Sequence, residues 1–196
     1  MLPAPTPTHH AGGRPVVYVD RDGTINPDFH YLAEPDRIEI LEGVTRGIRE
    51  LRDAGFCVVC VTNQSGVARG LYTEAIVESI HARIQQRLAM GGASIDRFYY
   101  CPHAPTEGCD CRKPGLGLFL QAERELGLRR EGSAIIGDRW LDIAVGQRLG
   151  ILRVLVPERG LEAETEAEFV GDRPRPDSTA TNFLDAARYI LDRRGR

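Results

Sequence analysis

No apolar run in the chain approaches the ~20 residues that span a bilayer, so no transmembrane helix is expected. The opening residues, MLPAPTPTHHAGGRP, lack the apolar centre of a secretory leader and read as a flexible lead-in. Residues 1–14 are therefore expected to form a tail, with His9 and His10 inside it and outside any site. Neither sign of charge dominates: 25 Lys and Arg against 28 Asp and Glu leave a net charge of −3. That balance gives no electrostatic attraction to nucleic acid or an anionic membrane. Five cysteines, an odd number without a leader, argue against a disulfide framework and for a reduced, cytoplasmic protein. The arginines from Arg188 to Arg196 suit the last turn of a helix better than a binding patch.

Internal repeats are missing too, and nothing divides residues 15–196, which are expected to form a single domain acting as a monomer. What is present is an alternation. VVYVD (16–20) and FCVVCVTNQ (56–64) are β-branched runs that end in polar residues, as buried parallel strands do. SIDRFYYC, SAIIG and RVLVP supply three more. Between them lie helical patterns over 43–55, stopped by Gly55, over 74–90, capped by Thr73, over 116–127 and 183–194, and at the end of 133–150, after its strand and an acidic turn. Strand and helix in turn predict an α/β fold, a Rossmann-like parallel sheet with helices on both faces. The acidic, proline-rich stretch 158–178 is expected to be irregular.

Ligands of such a sheet bind at the carboxyl ends of its strands. There the sequence places Asp20 and Asp22, then Thr62 and Asn63, then Lys113, then Asp138 and Asp142. A lone D-x-D more often starts a turn or caps a helix, but four strands contributing polar groups at one edge favour a site. The set suits phosphoryl transfer, in which the protein positions a nucleophile and neutralises spreading charge. Asp20 would attack and carry the phosphoryl group. Asp22 would protonate the leaving oxygen and later activate water. Two anions approach each other only with a cation between them, and hard oxygen ligands suit Mg²⁺, held by Asp20, Asp138 and the backbone carbonyl of Asp22. Thr62 and Lys113 would stabilise the phosphoryl oxygens.

Cys101, His103, Cys109 and Cys111 form C-x-H-x5-C-x-C in a turn-rich loop with Pro102, Pro105 and Gly108. Three thiolates and an imidazole match a closed tetrahedral Zn²⁺ site, which leaves no position for a reacting water. The metal is therefore expected to support the loop that ends in Arg112 and Lys113. A zinc-based nucleic-acid module would need a basic recognition helix that the chain lacks. Cys57 and Cys60, spaced as a redox pair, fall on opposite faces of one strand and read as core.

DRDGT, VTNQSG, RKPGLG and GDRWLD resemble the four ordered motifs of the haloacid dehalogenase-like phosphatases. The resemblance implies that fold and aspartyl-phosphate chemistry. The stretch between Asp20 and Thr62 is filled by a turn and a helix, so no cap domain fits there. The zinc loop narrows the likeness to two groups, the D-glycero-D-manno-heptose 1,7-bisphosphate 7-phosphatases and the histidinol-phosphate phosphatases. TNQSGVARG (62–70) and DFHYL (28–32) favour the heptose group, which acts in making nucleotide-activated heptose. That group implies a small phosphorylated sugar as substrate, met by Asp28, His30, Tyr31, Asn63, Gln64, Ser65, Arg112 and Arg139. Two positions depart from its pattern. Arg139 stands where the heptose enzymes have Lys, as in many histidinol enzymes, and His30 where they have Gly.

Overall fold

The computed structural model describes residues 13–157 and 174–194. Residues 1–12 of the expected tail, and most of the stretch read as irregular, lie outside them. Arg14, placed in the tail by the sequence, instead begins the first strand. The strands are β1 (Arg14–Val19), β2 (Cys57–Asn63), β3 (Arg97–Cys101), β4 (Leu128–Gly137), β5 (Leu152–Leu155) and β6 (Ser178–Thr179). The helices are α1 (Val44–Asp53), α2 (Glu74–Met90), α3 (Gly117–Leu126), α4 (Trp140–Leu149) and α5 (Phe183–Arg194). All pairings are parallel, in the order β3-β2-β1-β4-β5-β6.

Strand periodicity sorts the core into two layers. Val17, Val19, Val58 and Cys60 face α1, α2 and α5 through Ile48, Leu51, Ile80, Ile84, Phe183 and Ala187. Val16, Tyr18, Cys57, Val59 and Val61 face α3 and α4 through Phe119, Ala122, Val145 and Leu149. Cys57 and Cys60 thus belong to opposite layers, both buried and free, as packing residues. Thr73 caps α2 by accepting from the Ile76 amide. Between β1 and β2 the chain makes only a 3₁₀ turn (Pro35–Arg37) and α1, and between β2 and β3 only α2.

Two elements escaped the sequence pattern. β4 begins at Leu128, well before its apolar run, and its register with β1 shifts between Pro15 and Val17. The Ser133 hydroxyl spans that irregularity, accepting from the Val16 amide at 2.8 Å and donating to the Arg129 carbonyl at 2.6 Å. β6 has two residues, too few for any period to show.

His81, on the buried face of α2, stacks on Phe98 with ring centroids 4.6 Å apart. Neither ring nitrogen has a hydrogen-bond partner among the described residues. Burial, reinforced by the positive charge of Arg21, lowers its pKa to about 3. An unfolded histidine takes up its proton near pH 6.5. This contribution is therefore neutral to stability above about pH 6.5, and costs stability as pH falls from there toward 3. The variant His81→Phe should gain on the wild type by about 1.4 kcal/mol per pH unit across that window. Urea unfolding at pH 7, 6 and 5 measures it, and a constant difference across the three would contradict the assignment.

Candidate active site

The strand order reverses between β1 and β4, and the residues that follow these two strands leave the sheet side by side. The Asp20 amide donates to the Ile136 carbonyl at 3.1 Å, and Asp138 follows one residue after β4. The first turn of α4 returns Asp142 to the same point. A Cβ on Gly137 would stand 2.2 Å from the Asp142 carboxylate, so only glycine permits this approach. The carboxylates of Asp20, Asp138 and Asp142 lie within 4.8 Å of one another. Lys113 reaches them from the cysteine loop, with Nζ 2.8 Å from Asp20 Oδ1 and 2.7 Å from Asp142 Oδ1.

One buried ammonium pairs with two of the three carboxylates, and the protonation of Asp20 and Asp138 shows the imbalance. Burial raises the Asp20 pKa to about 6, Lys113 opposing it and Asp142 adding to it. Burial, with the charges of Asp20 and Asp142, pushes Asp138 well above the ordinary carboxylate range. Burial would lower Lys113, but Asp142 and Asp20 more than reverse this and hold it charged. Asp138 Oδ2 is buried without a hydrogen-bond partner among the described residues, Arg139 Nε standing 3.6 Å away. Excess negative charge, hard oxygen donors and an unsatisfied oxygen fit a divalent cation such as Mg²⁺. The sequence assigned this role to Asp20, Asp138 and the backbone carbonyl of Asp22, and gave Asp142 no part in it.

The Asp22 carboxylate lies apart from this group. Its Oδ1 accepts from Arg21 Nε at 3.1 Å and Asn26 Nδ2 at 3.0 Å. Its Oδ2 accepts from Arg21 Nη2 at 2.9 Å and Gln64 Nε2 at 2.8 Å. Burial alone would raise its pKa, but Arg21 and these bonds together hold it below the usual value. Arg21 is itself only 1% exposed, a guanidinium enclosed for this one partner.

Asp20, Asp22 and Lys113 open on a cavity of about 250 Å³, near the lower end of small-molecule sites, with Thr62 on its wall. All eight residues expected to meet substrate line it: Asp28, His30, Tyr31, Asn63, Gln64, Ser65, Arg112 and Arg139. Their polar groups differ in engagement. Asn63 accepts from the Lys113 amide at 3.0 Å and donates to the Lys113 carbonyl at 3.3 Å, so its side chain fixes the lysine's backbone. Gln64 bonds to Asp22, Thr62 and Tyr72. Arg139 Nη2 pairs with Asp28 Oδ2 at 2.8 Å, tying two expected substrate contacts to each other. Arg112 keeps a buried Nη1 without a hydrogen-bond partner among the described residues. His30 and Tyr31 take left-handed backbone at φ 45° and 68°, which explains glycine's suitability at the first of these positions.

The four cysteine-loop ligands form a second group. Cys111 Sγ lies 3.2 Å from Cys101 Sγ, 3.3 Å from Cys109 Sγ and 3.1 Å from His103 Nδ1. Cys101 Sγ lies 3.6 Å from both Cys109 Sγ and His103 Nδ1. A tetrahedron with metal–sulfur bonds of ~2.3 Å has edges of roughly 3.8 Å, so these separations fit a thiophilic ion after slight expansion. All four positions are taken by protein.

Arg21, Asn26 and Tyr72 are site residues that the sequence reading missed, and Asp142 is one it placed at this edge without a role. Asp142 had a signal, since four residues after Asp138 at a helix start brings it back toward that strand end. Arg21, flanked in sequence by two aspartates, had one as well. Tyr72 had none.

A carboxylate trio, a lysine and an acid/base candidate at the switch point of a parallel sheet define the class. It is a hydrolase of the haloacid dehalogenase type, and the family model "HAD-hyrolase-like" matches residues 110–186. The D-glycero-beta-D-manno-heptose-1,7-bisphosphate 7-phosphatase of Yersinia pestis is 37% identical over 165 residues, covering 81% of this chain and 88% of that protein. The protein of the same name from Escherichia coli K12 is 38% identical over 165 residues, covering 81% and 86%. The crystal structure of D,D-heptose 1,7-bisphosphate phosphatase from B. bronchiseptica, complexed with magnesium and phosphate, superposes with a TM-score of 0.80 at 32% identity. That match covers 91% of this chain and 99% of the other. The chain belongs to the family of these heptose bisphosphate phosphatases.

The cysteine geometry gives a direct test. Cys109→Ser and Cys111→Ser should each lower the content of tightly bound thiophilic metal, measured by elemental analysis of purified protein. Cys60→Ala, in the core, should leave it unchanged. Equal metal content in all three would refute the assignment of these ligands.

Proposed function

We propose that the chain is a magnesium-dependent phosphomonoesterase that removes the 7-phosphate of D-glycero-β-D-manno-heptose 1,7-bisphosphate to leave the 1-phosphate. The observation that carries this reading is that Asp20, Asp142 and Lys113 line one small cavity with Asp22 and Thr62, Asp138 lying within 4.8 Å of the other two carboxylates. The substrate and its β anomer rest on similarity to the relatives named for that reaction.

Asp20 attacks phosphorus, the bond from phosphorus to the sugar oxygen breaks, and that oxygen leaves with the proton of Asp22. Asp22 then takes a proton from water as the water oxygen bonds to phosphorus, which frees inorganic phosphate and restores Asp20. Lys113 and the Thr62 hydroxyl stabilise the phosphoryl oxygens. Magnesium, held by Asp20, Asp138 and the Asp22 carbonyl, would offset the charge of nucleophile and phosphate. The magnesium and phosphate in the B. bronchiseptica structure support this. Arg112, with its uncommitted Nη1, meets the sugar or its distal phosphate, and Asp28, His30, Tyr31 and Ser65 shape the rim. Cys101, His103, Cys109 and Cys111 would hold zinc, which would fix the backbone from which Arg112 and Lys113 project.

Replacing the nucleophile in Asp20→Asn should cost at least about 10³-fold in kcat, and near wild-type turnover would end the mechanism. The substrate is tested by kcat/KM for both anomers of the heptose bisphosphate, histidinol phosphate and fructose 1,6-bisphosphate. The β anomer should lead, whereas a lead for histidinol phosphate would move the chain's activity to the other group.

A further inference from the structure

Gln64 faces the cavity wall, yet its whole amide is committed to the protein. Its Nε2 donates to Asp22 Oδ2 at 2.8 Å and to Thr62 Oγ1 at 2.9 Å, one hydrogen for each. Its Oε1 accepts from the Tyr72 hydroxyl at 2.8 Å. A carboxylate can only accept, so the amide cannot flip without setting Oε1 against Asp22. The Tyr72 hydroxyl reinforces this orientation from the other side. Tyr72 is 8% exposed and seated over Gly66, where a Cβ would come within 2.3 Å of its ring. Since Thr62 Oγ1 accepts from Gln64, its own hydroxyl hydrogen is left to donate elsewhere.

We infer that Gln64, anchored by Tyr72, is a positioning residue that aligns the Asp22 carboxyl and the Thr62 hydroxyl for phosphoryl transfer. It acts through these two groups and not by meeting substrate. The inference rests on the reading of Asp22 as the acid that protonates the leaving oxygen. In that step the Asp20 oxygen–phosphorus bond forms, the phosphorus–oxygen bond to the leaving group breaks, and the departing oxygen takes the Asp22 proton. A sugar alkoxide needs that proton, whereas p-nitrophenolate leaves readily without it. Misalignment of Asp22 should therefore harm the two substrates unequally, which a general loss of packing would not do.

The experiment compares kcat/KM for heptose 1,7-bisphosphate and p-nitrophenyl phosphate in the wild type, Gln64→Met, Tyr72→Phe and Asp22→Asn. This constant reports the steps through departure of the leaving group, and thermal unfolding checks that each variant is folded. General acid catalysis contributes about 10²–10⁴-fold. Gln64→Met should thus lose about tenfold or more on the sugar phosphate beyond its loss on the aryl phosphate, and Tyr72→Phe several-fold. Equal losses on both substrates, or none, while Asp22→Asn discriminates between them, would overturn the role of Gln64 alone. An Asp22→Asn variant that does not discriminate would remove the acid assignment and this inference with it. Should Gln64→Met fail to fold, Tyr72→Phe decides: selective loss on the sugar phosphate supports the alignment, and unselective behaviour rejects it.

Discussion

The site depends on three carboxylates buried against one lysine. Charges taken out of water carry a large desolvation cost unless they are paired. The fold meets that cost at the edge where β1 and β4 leave the sheet, with Lys113 between Asp20 and Asp142. The remaining negative charge is what a divalent cation and its ligand geometry can use. Neighbouring features serve this juxtaposition. Gly137 makes room for Asp142, and Thr24 Oγ1 approaches Asp138 Oδ1 at 3.4 Å.

Lys113 comes from a loop with no regular structure of its own, and a loop places a charge accurately only when its backbone is tied down. Two ties are visible. Asn63, at the end of β2, bonds both the amide and the carbonyl of Lys113. The cysteine group ends at Cys111, two residues earlier, so a metal there would fix the chain entering the lysine. Arg112 sits between these anchors, which gives its direction the same support. A metal enclosed by these four ligands would contribute to chemistry through geometry alone.

The strands and helices were legible because buried parallel strands are long apolar runs and the helices carry their own stop and cap residues. β4's early start was hidden because LRREGS has no apolar period, its pairing being completed by the Ser133 hydroxyl. In the site, motif spacing located residues that line one cavity, since the expected chemistry restricts residue type. It could not show which polar side chains the protein would claim for itself. Asn63 and Gln64 lie in one motif with Thr62 and were read as substrate contacts, yet their amides serve Lys113 and Asp22. Such pairings form between strand ends remote in sequence, and no local pattern encodes them.

Asp22 shows why those claims matter. Both oxygens of its carboxylate carry two donors, from Arg21, Asn26 and Gln64. Four bonds fill the acceptor sites of a carboxylate, so the group is held in one orientation and favoured as the anion. An acid that must carry a proton to a leaving oxygen has to give up at least one of them. The bonds are unequal in what they cost to lose: Arg21 is a buried cation bound through two nitrogens, whereas Gln64 and Asn26 are neutral amides. An amide bond can therefore yield to a leaving oxygen while the two bonds from Arg21 keep the aspartate tethered to the site.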